Sequence, residues 1–186
     1  SLNSGKIRNL VIDLRGNIGG IPDGSVKLLS CIMKKSFIYY SHGNGYDNYK
    51  ALTAPARNRF TGRVLFLADG ACRSTTGHFL AMVKYYRIGS IIGEESCASY
   101  SCNDNGLPHT LPNTQLIFIC PESTYSVAVS GLKRGRGIMP DYTVNPPVAD
   151  VISGKDTVLT VCVGKSQKWA SPVTNFPAGW QKNLRL

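Results

Sequence analysis

Residues 10–20 read Leu-Val-Ile-Asp-Leu-Arg-Gly-Asn-Ile-Gly-Gly. The apolar run Leu10, Val11 and Ile12 meets a charged pair, Asp13 and Arg15, and then a turn with glycine at 16, 19 and 20. This is the pattern of a buried strand entering a turn where the backbone approaches another group closely. N–H groups freed in such a turn can point at an anion or at a developing oxyanion. An ordinary strand-to-helix loop has the same composition, so both readings stand at this point.

A second segment, residues 63–95, repeats the layout. Residues 64–68 form an apolar strand, and Asp69-Gly70-Ala71 is a turn. Ser74 stands where a helix begins, with Phe79, Met82, Val83 and Tyr86 at helical spacing on one buried face. Residues 88–92 are the next strand. A serine at a helix start is a preferred N-cap. It is also a place where free N–H groups and the helix dipole favour negative charge. Strands alternating with helices argue α/β layering.

Together the two segments resemble the carboxy-terminal processing, or tail-specific, serine peptidases, a group with tricorn-protease-like and non-proteolytic branches. Members carry Asp-Leu-Arg-x-Asn-x-Gly-Gly, matched by Asp13 to Gly20. They carry a Ser-Ala-Ser-Glu-like helix start, met here by Ser74-Thr75-Thr76-Gly77, and a strand ending in Gly-Glu, met by Gly93-Glu94. A late Gly-x-x-Pro-Asp is matched by Gly137 to Asp141, and Leu111-Pro112-Asn113-Thr114 resembles a recurrent stretch of bacterial members. The similarity runs from Leu10 to Val163. It implies an α/β fold with a crotonase- and ClpP-like spiral of strand–strand–helix units. It implies Ser74 as nucleophile, an oxyanion hole from the N–H groups of Thr75 and of a glycine of the Gly19-Gly20 pair, Gly19 being taken, a polypeptide substrate and no cofactor or metal. It also implies an extracytoplasmic setting and further domains ahead of residue 1.

The base departs from the pattern. Members carry Gly-Glu-x-Thr-x-Gly-Lys-Gly, whose lysine activates the serine. Here the stretch is Gly93-Glu94-Glu95-Ser96-Cys97-Ala98-Ser99-Tyr100, with Ser99 at the lysine position. Gly77 likewise stands where members often have glutamate. His78, one helical turn beyond Ser74, and His109, in a following loop, are the candidate bases; each also reads as an ordinary helical or loop histidine. His42 reads as a turn residue. The tricorn branch takes its histidine from a segment ahead of the catalytic core, so the resemblance also allows a base outside this sequence. The reading that needs no base is an inactive homologue holding a peptide or an apolar ligand in the same cleft.

The chain of 186 residues carries a net charge of +10. Its basic residues are scattered apart from Lys133-Arg134-Gly135-Arg136, so a solvated face rather than a nucleic-acid groove is expected. No segment is long and apolar enough to span a membrane, and the first residues lack the charged and apolar regions of a signal peptide. The six cysteines make no Cys-x-x-Cys or zinc pattern. Cys31, Cys120 and Cys162 read as buried thiols, and Cys97 and Cys102 as a candidate disulfide.

Elsewhere, residues 22–34 are expected to be helical and 43–62 a surface loop. Residues 115–120 and 125–130 read as a strand pair around Pro121-Glu122, and 150–163 as a last helix. The expected organisation is a core over 1–163 and an irregular tail over 164–186.

Overall fold

A computed structural model of the chain describes residues 7–43 and 47–168. In chain order the elements are β1 (Asn9–Asp13), α1 (Pro22–Ile32), β2 (Phe37–Ile38), β3 (Tyr40–His42), β4 (Leu52–Thr53), β5 (Arg63–Ala68) and α2 (Thr75–Tyr86). They continue with β6 (Ser90–Gly93), β7 (Ser101–Thr110), β8 (Ile117–Val127), β9 (Tyr142–Thr143), α3 (Val148–Ile152) and α4 (Thr157–Lys168).

The centre is a parallel sheet in the order β1-β5-β6-β9. Its side chains alternate between two cores, as the period of a strand requires. Val64, Phe66 and Ala68 of β5 join Ile12, Ile91 and the α2 residues Phe79, Leu80 and Met82 on one face. Leu65, Leu67 and Ile92 pack on the other face against Val158 and Cys162 of α4. Helices cover both faces, so the β5 sequence is continuously apolar rather than alternating. The α/β layering expected from the sequence is present.

Five expectations are corrected, in the hairpin, the last helix, the cysteines, the 43–62 loop and the tail boundary. The strand pair around Pro121 is instead a long hairpin: β8 runs unbroken through Pro121 and pairs antiparallel with β7, from Ser101↔Ser126 to Thr110↔Ile117. The outer half of β8 has a neighbour on one side only, and an edge strand tolerates a residue without an N–H. The last helix is two helices, parted at Gly154, whose φ of 70° interrupts helical geometry. The cysteines are free, with Cys97 and Cys120 exposed and Cys31 half-buried.

The supposed loop over 43–62 holds a 3-10 turn at Asp47–Lys50 and β4, which pairs with β2. Helix α4 continues five residues past Val163 to Lys168; the remainder of the expected tail lies outside the described residues.

Charged residues join the two sides of the sheet. Arg15 holds Asp13 at the end of β1 and Asp156 before α4, donating to both Asp156 oxygens at 2.8 and 2.7 Å. That pairing holds the Asp156 carboxyl below its usual range and raises the Arg15 guanidinium further still. Asp141 of the Gly-x-x-Pro-Asp stretch pairs with Lys84 of α2 and accepts the Ile91 N–H at 2.8 Å.

Candidate active site

Strands β1 and β5 are parallel neighbours, so the turns leaving their carboxyl ends lie side by side, where α/β sheets place their ligands. The main chain joins the turns: Leu14 N–H donates to the Leu67 carbonyl and Arg73 N–H to the Asn17 carbonyl, at 2.9 and 3.1 Å. Asp69 ties them again, accepting from Gly16 N–H at 3.0 Å and from Ala71 N–H at 3.0 Å. Cys72, fully buried between the two turns, donates to the Leu14 carbonyl; burial pushes its thiol up to about 12.

Ser74 sits at φ 47° and ψ −127°, immediately before α2. Positive φ in a non-glycine residue costs on the order of 1–3 kcal/mol and persists only where surrounding contacts impose it. Ser74 is the N-cap residue of α2, its carbonyl accepting from the Gly77 and His78 N–H groups. Among the described residues its side chain makes no capping hydrogen bond, so the hydroxyl is not spent on the helix. A strained strand-to-helix elbow is how a nucleophilic serine is exposed on α/β scaffolds.

The glycine turn presses against this elbow. A Cβ on Gly19 would lie 2.8 Å from Ser74 Cβ and 2.9 Å from the Arg73 carbonyl oxygen, and Gly19 has φ 93°. Only glycine meets both demands. Two threonines of the first turn of α2 clamp the loop. Thr75 Oγ1 donates to the Gly20 carbonyl at 2.5 Å, and Thr76 Oγ1 donates to Asn17 Oδ1 at 2.7 Å. Asn17 Oδ1 also accepts the Gly19 N–H at 2.9 Å. The Gly19 donor is therefore occupied. The N–H groups of Gly20 and Thr75 have no acceptor among the described residues. A cleft of about 390 Å³ opens beside them, lined by Asn17, Gly19, Gly20, Ser25, Thr75 and Thr76. Two unspent backbone donors next to the half-buried Ser74 can bind a carbonyl oxygen that gains charge.

The histidines lie elsewhere. His78 is buried in α2 with its ring edge-on to Tyr40, and its Nε2 meets Cys102 Sγ at 3.2 Å. Its Nδ1 is buried with no partner among the described residues. Burial pulls its pKa down to about 4, so the ring is neutral at pH 7. His109 lies on the outer half of the hairpin, stacked on Phe118. His42 ends β3. Among the described residues no hydrogen bond reaches Ser74 Oγ. Ser99 lines a second hollow of about 400 Å³ at the hairpin base, with Ser101, Ser126 and Arg134. Gly77 is packed by Ala98, which a Cβ there would meet at 2.6 Å, so a larger residue at 77 has no room in this chain. Arg136 of the basic run forms a two-point pair with Glu95.

The sequence profile of peptidase family S41 matches residues 1–144. The chain belongs to peptidase family S41. It is 24% identical over 161 residues to a carboxy-terminal-processing protease of Bartonella bacilliformis, covering 83% of this chain and 35% of that protein. The chain thus spans about a third of the length of that curated relative. Among solved structures it resembles the tricorn protease, with a TM-score of 0.54 and 17% identity, covering 87% of this chain and 15% of the other. It also resembles the photosystem II D1 C-terminal processing protease, at 0.52 and 17%, covering 79% of this chain and 37% of the other. At these identities the two structures bear on the S41 fold alone.

Asn17, Asp69 and Thr76 stand in the sequence as motif or turn positions and Cys102 as a disulfide candidate; none has a role at the site there. Asn17 and Asp69 follow the strands β1 and β5 within four residues, in turns where side-chain bonds to the backbone are frequent; that was the available signal. Nothing in the spacing of Cys102 pointed to His78, because a hairpin and a helix bring them together.

Proposed function

We propose that this chain is the core of a serine-type peptidase that cleaves polypeptides through an acyl-enzyme on Ser74. The observation that carries the reading is the strained Ser74 elbow pressed against Gly19, with two unspent N–H donors beside it. Ser74 Oγ attacks the scissile carbonyl carbon as its proton passes to a base. The carbonyl oxygen becomes an oxyanion held by the N–H groups of Thr75 and Gly20. Gly20 replaces Gly19 in this role because the Gly19 N–H is spent on Asn17. The base returns that proton to the leaving amine as the tetrahedral adduct collapses to the acyl-enzyme. Water, giving its proton to the same base, then releases the acyl group from Ser74. Losing one such donor typically costs on the order of a hundredfold or more in rate. The name of the Bartonella bacilliformis relative suggests trimming at carboxyl termini as the biological reaction.

The base in this reading comes from outside the described residues. Protonating His78 is opposed by its burial, and its Nε2 is engaged by Cys102. His109 is committed to the stack on Phe118. The absence of a contact to Ser74 Oγ also favours a second reading, a non-catalytic homologue that holds a peptide or apolar ligand in the cleft. Labelling with a fluorophosphonate separates the two. Labelling of the wild-type chain that vanishes in Ser74→Ala supports the activated serine. Labelling seen only in the full-length protein keeps Ser74 as the nucleophile with its base elsewhere. A full-length protein that stays unlabelled and still retains peptide supports the second reading.

A further inference from the structure

We propose that the cleft beside the Ser74 elbow is a recognition pocket for a carboxamide side chain, with Ser25 as its specificity-determining residue. This rests on the peptidase reading above: the side chain belongs to the substrate residue that supplies the scissile carbonyl. Gly20 and Thr75, whose N–H groups hold that carbonyl, are walls of the same cleft, so a side chain on the adjoining carbon reaches it.

No Asp, Glu, Lys, Arg or His is among the described residues lining this cleft of about 390 Å³. It offers uncharged donors instead. Gly24, on its wall, lies in the first turn of α1, where a helix has no partner of its own for the N–H. α1 has no capping side chain, and no described residue accepts the Gly24 N–H. Ser25, next in the chain, is 2% exposed yet lines the cleft.

The Tyr39 hydroxyl faces Ser25 from the interior. It is fully buried and closes no hydrogen bond among the described residues. Burial raises its pKa, so it stays a neutral O–H. A buried donor left unmet costs stability and calls for an explanation. An acceptor in the cleft supplies one. Tyr39 then donates to Ser25 Oγ, Ser25 donates into the cleft, and both hydroxyls are met.

The carboxamide is the group that uses the whole wall. Its oxygen accepts from Ser25 and Gly24. The hydroxyl oxygens of Thr75 and Thr76, whose protons are spent on Gly20 and Asn17, remain acceptors for its NH2 group. A carboxylate is disfavoured. The α1 N-terminus attracts an anion, but Asp23 in that turn already supplies one, and no cation lines the cleft. An apolar side chain of similar shape leaves the hydroxyls unmet, which is the strong form of rejection.

Cleavage of a peptide series by the full-length protein tests this, with mass spectrometry locating the cut. The residue on the acyl side is Gln, Met or Glu in one set and Asn, Leu or Asp in the other. At least one carboxamide is expected to exceed both of its counterparts in kcat/KM by about tenfold or more. Ser25→Ala is expected to bring the carboxamide-to-apolar ratio within about threefold of unity, and Tyr39→Phe to narrow it less. Cleavage without a carboxamide preference, or a preference unchanged in Ser25→Ala, overturns the pocket and leaves Ser74 as nucleophile. A protein that fluorophosphonate labels at Ser74 but that cuts none of the peptides at that residue also overturns it. A protein that is neither labelled nor active removes the peptidase reading, and the pocket falls with it.

Discussion

The Ser74 elbow and the outer β7–β8 hairpin both reach the surface, and each leaves a different kind of group unmet. At the elbow the backbone is strained and two N–H donors have no acceptor among the described residues, while Asn17, Asp69, Thr75 and Thr76 hold the surrounding turns by hydrogen bonds. In the hairpin the strands pair in regular register, and the unmet groups are apolar side chains. Unmet polar groups on a rigid frame point to chemistry, because they gain when charge develops. Unmet apolar side chains carry no such chemistry, because they gain only when water leaves.

The largest expected effect separates these two regions outright. Ser74→Ala is expected to lower peptide cleavage by about a thousandfold or more with the fold retained, measured by turnover of an unstructured polypeptide. Full activity in that variant would remove the nucleophile from this elbow.

Gly19→Ala probes the frame rather than the hydroxyl. The added Cβ meets Ser74 and Arg73 and the residue keeps positive φ. A loss of about 3 kcal/mol in denaturant unfolding is expected. Gly20→Ala has open space around its Cβ and is expected to cost less. Equal losses at 19 and 20 would mean that the close approach to Ser74 does not matter.

His78, one turn along α2 from the elbow, is sealed rather than open. Its pKa is about 4 when folded against 6.5 ordinarily. Between those values the unfolded chain binds the additional proton. Stability therefore falls as pH drops from 6.5 to 4, by about 3 kcal/mol for this group. Above pH 6.5 the contribution is fully present. His78→Phe is expected to flatten that slope in urea titrations at stepped pH; an unchanged slope would place the titration in another group.

Asn17→Ala removes the acceptor shared by Gly19 and Thr76. It is expected to cost about 1–2 kcal/mol and to lower turnover more than it weakens peptide binding. Loss of binding alone would make Asn17 a cleft wall only. The smallest effect belongs to the hairpin: Ile119→Thr, at an exposed position, is expected to change monomer stability by less than about 0.5 kcal/mol. A larger loss would mean that the hairpin serves the fold of a single chain.

Much of this was legible in the residues. The apolar run of β5, the helical face of Phe79, Met82 and Val83, and the glycines after Asp13 are local patterns, and local patterns survive into the fold because strand and helix periods dictate which side chains can be buried together. The Asp13–Gly20 and Ser74–Gly77 motifs led to the two turns that meet at the site. The hairpin was misread because Pro121 looks like a break until it is known to lie on an edge strand.

Residue order by itself determined the α/β alternation and the two turn motifs. Only the tertiary structure decided which glycine donor is free, that the Ser74 hydroxyl does not cap its helix, and that His78 faces Cys102. The physical reason is that these depend on contacts between segments far apart in the chain. A hydrogen-bond donor can be spent once, and whether Asn17 or a substrate receives it is settled by packing, not by spacing.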